Sequence, residues 1–237
     1  MMGFRLSHVT PAVAGGVLAM ALASSAHALV LTGQLTGDPR SGNPDSITAD
    51  VTVTSGASGY AANEALIDVT PTAAAAHPNL FMTQFGFNVD ADLTNAGISG
   101  VNPSDWSFTT NGSMTGAGSG FTFDYLGSDT DFSGQGGRIG NGDTLSFILT
   151  LGTGTFTEAS FTGAPTTTSS DPLLSGQMAG RFQGLSPNAD GQGDGGSGIA
   201  TGDWDESQEV PEPATLALIG AGLAGLGFAS RRRARAA

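Results

Sequence analysis

Short stretches of alternating apolar and polar residues recur along the chain and predict β-strands. The clearest spans 144–151, where Leu145, Phe147 and Leu149 share one face. Similar alternation predicts that Phe121, Phe123 and Tyr125 share the inner face of a strand at 120–125, and that Phe85, Phe87 and Val89 do so within 80–90. Weaker patterns of this kind lie at 29–35, 47–54, 65–70, 105–110, 155–162 and 177–185.

Turn-forming residues separate these segments, and Asn141-Gly142-Asp143 is a strong tight-turn signal ahead of 144–151. Eight or nine short strands with threonine-rich outer faces are typical of an all-β fold. They favour an antiparallel β-sandwich of the jelly-roll kind, with a single sheet closed on itself as the alternative. One short helix is expected, either at 60–66 or at 171–175.

The segment 188–209 differs from the rest because it is rich in glycine and aspartate and almost free of apolar residues before Trp204. This composition predicts a surface loop or a linker. The β-sandwich domain is therefore predicted to span 29–187, followed by this loop or linker.

The first 28 residues have the organisation of a secretory signal peptide. Arg5 gives an early positive charge, an apolar stretch follows from Val9 to Ala23, and Ala26-His27-Ala28 has the small residues of a cleavage site. We expect signal peptidase to cut after Ala28 and to leave an exported chain.

The last 28 residues, 210–237, contain three parts in a fixed order. Val210-Pro211-Glu212-Pro213 comes first, and an uncharged apolar run of 17 residues follows at 214–230. As a helix this run would rise about 25 Å, slightly less than the apolar thickness of a bilayer. A basic cluster ends the chain and would hold it on the cytoplasmic side as a membrane stop: Arg231, Arg232, Arg233 and Arg235.

This order resembles the PEP-CTERM sorting signal of bacterial surface proteins. The resemblance implies recognition by an exosortase, a membrane protease-transpeptidase, and co-production with extracellular polysaccharide. It implies transient anchoring in the inner membrane and then release to the cell surface or extracellular matrix. A permanent C-terminal anchor is the simpler alternative for the same segment.

The charge of the region between the two terminal segments excludes one class of partner. Residues 29–209 hold 20 acidic residues and only Arg40, Arg138 and Arg181, a net charge of −17. Nucleic-acid binding needs a basic surface, so we expect no nucleic-acid partner.

Acidic residues also raise the question of calcium. Asn188, Asp190, Gln192 and Asp194 alternate in a way that partly matches a calcium-binding loop, but Ile199 stands where the terminal bidentate glutamate is required. A Ca²⁺ site at Asp190 and Asp194 is thus one hypothesis, and a solvated acidic linker is the other.

Catalytic residues are scarce in the predicted exported region. His77 is its one histidine, the chain lacks cysteine, and no GxSxG elbow is present. We therefore expect no enzymatic activity and no cofactor.

Exposed aromatic residues beside carboxylates could instead stack on sugars. Trp106 follows Asp105, and Trp204 lies between two aspartates. The alternative is that Trp106 fills the core and Trp204 packs the linker onto the domain. The sequence therefore predicts an exported, non-enzymatic cell-surface or exopolysaccharide-matrix protein, with a carbohydrate-binding module and, behind it, an ice-binding protein as alternatives.

Overall fold

The computed structural model describes residues 29–40, 46–56, 59–73, 75–93, 95–131, 137–186 and 196–205. Nearly all regular structure in these ranges is β-strand. The one α-helix among them is a single turn, α1 (Ala159–Thr162), and a 3₁₀ turn spans Ala91–Leu93. The strands are β1 (Leu29–Thr36), β2 (Thr48–Ser55), β3 (Glu64–Pro71), β4 (Phe81–Phe87), β5 (Gly97–Asn102), β6 (Trp106–Ser113), β7 (Thr122–Asp129), β8 (Ile139–Gly140), β9 (Leu145–Thr150), β10 (Thr167–Thr168), β11 (Ser175–Gly176), β12 (Met178–Gln183) and β13 (Ser197–Gly202).

Every strand pair is antiparallel, which confirms the predicted all-β antiparallel class. The main sheet has the order β5-β9-β3-β2-β1-β13-β12-β4-β7-β6, and β8 pairs with β4 outside this path. Strands β10 and β11 form a separate two-stranded ladder.

The strands form one continuous sheet where two separate sheets were predicted. Its five-stranded halves, β5 to β1 and β13 to β6, are joined through the pair Thr36 and Thr201 and a bridge between Gly33 and Trp204. The sheet then folds over, so that Phe87 of one half lies 5.6 Å from Phe147 of the other, ring centre to ring centre. The result is a nearly closed sheet around a single main core.

Alternation along the strands creates that core. Leu145, Phe147 and Leu149 are fully buried, as the sequence predicted for this strand. Each such side chain contributes about 1.5–3 kcal/mol relative to exposure. The predicted tight turn is also confirmed, since Asp143 N–H bonds to Gly140 O and Gly142 adopts a φ of 82°.

A second, smaller apolar cluster covers the outer face of the β12 half. It contains Phe121, Phe123, Leu174 and Ile199 among its members. Tyr125 packs in the main core instead, so the single shared face predicted for 120–125 is wrong. The ladder between β4 and β7 ends at Tyr125, and beyond it Asp124 N–H donates to the Asn88 side chain at 3.0 Å where a ladder hydrogen bond would otherwise form.

The C-terminal part of the predicted loop or linker is also corrected. Ser197–Gly202 is strand β13 at the centre of the sheet, paired with β12 on one side and with β1 on the other. Ile199 and Ala200 are buried there. The preceding residues 187–195 lie outside the described ranges.

Two local predictions differ from the structure. The segment 155–162, expected to be a strand, ends in α1, because one helical turn lets Phe156 and Phe161 stack at 5.6 Å within the core. The helices expected at 60–66 and 171–175 are turns that lead into β3 and β11, with hydrogen bonds from Glu64 N–H to Ala61 O and from Leu174 N–H to Asp171 O.

The two edge strands, β5 and β6, face each other across a seam, and no backbone pairing between them closes it within the described residues. Side chains close it instead. Phe108 of β6 reaches Phe147 at a ring distance of 4.4 Å. The Tyr125 hydroxyl lies 3.1 Å from Leu93 O and 3.0 Å from Ala96 O, just before β5.

Candidate functional site

The C-terminal end of the described domain is built around Trp204. Its indole is 6% exposed and meets the ring of Phe161 edge-on at 5.2 Å. Its backbone N–H donates to Gln177 Oε1 at 3.0 Å, and the next N–H, of Asp205, donates to Thr32 O at 2.9 Å. The last described residues are thus held firmly on β1 and the core.

Gln177 connects the segment around Trp204 to α1. Its amide Nε2 donates to Thr162 O at 3.1 Å and to Ala164 O at 2.7 Å, while its backbone N–H donates to the Asp203 carboxylate. With Trp204 N–H on its Oε1, every polar group of this buried side chain is used. Trp204 Nε1, in contrast, is buried without a hydrogen-bond partner among the described residues.

Trp106, the other tryptophan, is also part of the interior. It is 3% exposed, and its Nε1 donates to Gly137 O at 2.7 Å. Stacking on a sugar requires an exposed ring face, which neither indole offers. The burial of Trp106 and Trp204 favours the packing alternative for both, and the carbohydrate role stays a prediction.

His77 lies beside a serine, which is the one arrangement here that resembles a catalytic pair. Its Nε2 is 2.9 Å from Ser46 Oγ, and Ser186 N–H donates to its Nδ1 at 3.1 Å. Because Nδ1 accepts a hydrogen bond, the ring proton in this arrangement is on Nε2 and is donated to the serine. A catalytic base must instead accept the serine proton. The geometry is that of a fully buried structural histidine.

Carboxylates in the described residues hold backbone groups in place. Asp124 accepts from Val89 N–H at 3.1 Å, and Asp129 accepts from Asp131 N–H at 2.9 Å. Asp38 pairs with Arg40 at 2.6 Å and accepts from Ile199 N–H at 2.8 Å, which fixes the end of β1 on β13. The pKa of Arg40 is raised, mainly by its hydrogen bond to Asp38.

No group of three or more metal-binding side chains occurs within the ranges that the structure describes. The predicted calcium ligands Asp190 and Asp194 lie outside those ranges, so the calcium hypothesis stays a prediction.

A groove follows the seam between the two edge strands. It has a volume of about 230 Å³ and is lined by Ala96, Ile98, Val101, Phe108, Thr109, Thr110 and Tyr125. Burial raises the pKa of the Tyr125 hydroxyl, which keeps it protonated and able to donate at neutral pH. The described residues that line the groove are uncharged, and Thr109, Thr110 and Tyr125 supply its hydroxyl groups.

Sequence reasoning missed both the anchoring of Trp204 and the seam. An apolar pair at 199–200 followed by a tryptophan was the available signal for the first. The seam depends on which strands end at the sheet edges, and local patterns carry no signal for that.

The predicted sorting residues Val210, Pro211, Glu212 and Pro213 lie beyond the described residues, as do the membrane-stop residues Arg231, Arg232, Arg233 and Arg235. Among the residues that the structure does describe, no helix has the length and apolar character needed to cross a bilayer. The predicted signal peptide at 1–28 and span at 214–230 are outside this part of the chain.

Comparison with known proteins identifies the C-terminal segment. A family model for the PEP-CTERM protein-sorting motif matches residues 209–233, beginning four residues after Asp205. No curated protein and no solved structure is significantly similar to the chain. The motif indicates export and membrane-anchored sorting toward the cell surface, and exosortase is the partner that recognises it. The match confirms the resemblance seen in the sequence, and the chain carries a PEP-CTERM protein-sorting motif at residues 209–233.

Proposed function

We propose that this protein is a non-enzymatic component of the cell surface or of the exopolysaccharide matrix. In this proposal signal peptidase removes residues 1–28, the segment 214–230 holds the chain transiently in the inner membrane, and exosortase processes it near Pro211-Glu212-Pro213. The β-rich domain then contributes to the matrix by its bulk and surface, in the presence of extracellular polysaccharide.

The observation that carries the proposal is the sorting motif at 209–233, which begins four residues after Asp205, the last described residue of the domain. A short connection of this kind suits a domain that is delivered as a folded unit. The net charge of −17 over residues 29–209 supports an extracellular role too, because it keeps copies apart and soluble.

The hydrogen bonds of the His77 side chain support the non-enzymatic part of the proposal. Ser46 receives a hydrogen bond from the ring where a nucleophile would donate one, and the described carboxylates noted above are occupied by backbone N–H groups. Burial of both tryptophans also weighs against the carbohydrate-binding alternative in the form that the sequence suggested.

Substitution of the motif tests the proposal in the producing bacterium. Replacing Pro211, Glu212 and Pro213 together by alanine should leave export intact and trap the chain in the inner-membrane fraction, while the wild type reaches the surface. Glu206→Gln, which removes an acid just ahead of the matched segment, is the matched control and should be sorted normally. Surface delivery of the triple variant at the wild-type level would refute exosortase sorting.

A further inference from the structure

Both termini of the described domain lie at the same end of the sheet. Strand β1 begins at Leu29, and the N–H of Asp205 donates to the carbonyl of Thr32 on the same strand. Three residues along a strand span about 10 Å. The predicted signal peptide and the sorting segment, which attach at these two places, therefore both join the domain at one end.

Two connections meet at this end of the sheet. They are 59–63, ahead of β3, and 151–157, which follows β9. They lie together, because Leu151 N–H donates to Asn63 O at 2.9 Å and Phe156 N–H donates to Ala62 O at 2.8 Å. Glu64 and Glu158 directly follow these connections, and Glu64 accepts a hydrogen bond from Ala61 N–H, so this end carries acidic charge and the short connection to the sorting motif is what would hold it near a membrane.

The connection to the sorting motif is short. Val210 is five residues beyond Asp205, and five residues reach at most about 17 Å even when fully extended. Anchoring of Trp204 in the core prevents the connection from lengthening at the expense of the folded domain.

We propose that this end of the sheet, formed by Leu29–Thr32, Asp205 and the two connections 59–63 and 151–157, faces the lipid bilayer while the protein is anchored, with the opposite end pointing away. The inference rests on the proposed function, because it requires the tail to be in the membrane. The membrane-facing end and the anchored Trp204 together set how far the processing site can stand from the folded domain.

Energy transfer to a labelled bilayer tests this orientation in the full chain. The chain has no cysteine, so a single introduced cysteine carries one fluorescent donor. Gly154→Cys places it in the connection 151–157, and Gly142→Cys places it in the turn before β9 at the opposite end. The two sites are matched, because both glycines have positive φ, 92° and 82°, and an added Cβ would meet no atom within 4 Å at either.

The variants are reconstituted through their own tails into phosphatidylethanolamine and phosphatidylglycerol vesicles with acceptor-labelled headgroups. The sites are separated by β9, about 20 Å of strand. We expect several-fold stronger transfer from the G154C label than from the G142C label. Insertion of twenty Gly and Ser residues between Ser207 and Gln208 should reduce this difference, because such a linker spans about 25 Å on average.

Equal transfer from the two labels, or stronger transfer from the G142C label, in chains that float with the vesicles would overturn the inference and leave the proposed function standing. Failure of the full chain to float with the vesicles would contradict the proposed membrane anchoring itself, and the inference with it.

Discussion

Replacing Trp204 by alanine should destabilise the domain strongly, although this residue lies in a segment whose composition predicts a polar linker. The indole is 6% exposed, contacts Phe161 edge-on at 5.2 Å and belongs to the main core. Removing it leaves a cavity between β1 and α1 and loosens the final residues of the domain.

Large aromatic-to-alanine substitutions in cores cost about 3–5 kcal/mol. For a domain of this size, each kcal/mol lowers Tm by about 2–4 °C, so a decrease of roughly 6–20 °C is expected. Trp204→Phe is the matched control. It keeps a ring against Phe161 and removes an indole N–H that has no hydrogen-bond partner in the described structure, so its cost should stay below about 1.5 kcal/mol.

Urea denaturation followed by far-UV circular dichroism measures both variants, since that signal does not depend on the removed fluorophore. A cost of W204A within about 0.5 kcal/mol, the usual range for surface positions, would refute the packing of Trp204 and with it the fixed length of the connection.

Four further results are expected. Tyr125→Phe should remove part of the loss of stability at alkaline pH. Burial raises the pKa of the Tyr125 hydroxyl in the folded state, so its contribution to stability is complete below about pH 10 and is lost as the pH rises through the folded-state pKa. Urea titrations from about pH 7 to 11 should therefore show a shrinking difference in stability between wild type and variant. Gly202→Ala should cost roughly 1–3 kcal/mol because its Cβ would overlap the Gln34 carbonyl, whereas Gly152→Ala, with no atom within 4 Å of the added Cβ, should be neutral; equal midpoints would contradict the close approach of β13 to β1. Trp106→Phe should cost more stability than Trp204→Phe, because it breaks the buried 2.7 Å hydrogen bond from Trp106 Nε1 to Gly137 O. Urea denaturation curves of the two variants would show which loses more stability. A solvated acidic linker predicts that thermal midpoints are equal with calcium and with chelator, and a rise of several degrees with calcium would support the metal hypothesis instead.

Strands that alternate large apolar and small polar residues could be predicted from the sequence. Leu145, Phe147 and Leu149 mark β9 because burial on one face of a two-residue repeat leaves a direct trace in the sequence. The class of the fold follows from several such traces together.

Strand β13 could not be predicted in the same way. It is flanked by glycines, which have no apolar side chain to signal burial. Their lack of a side chain allows the backbone of a neighbouring strand to approach closely. An added Cβ at Gly202 would collide with the Gln34 carbonyl, so the strand depends on a distant partner that local patterns cannot reveal.

The sorting motif was the functional feature most accessible from sequence, because its parts are contiguous at 209–233. The candidate sites inside the domain were harder to judge. Trp106 and Trp204 stand beside carboxylates in sequence, yet burial, which depends on tertiary packing, gives them structural roles.

The central claim, sorting and processing by exosortase, is tested most directly by the intact mass of the chain recovered from the cell surface. We expect a species that begins at Leu29 and has lost the C-terminal RRRARAA sequence. A surface chain whose mass still includes Arg231–Arg235 would contradict it.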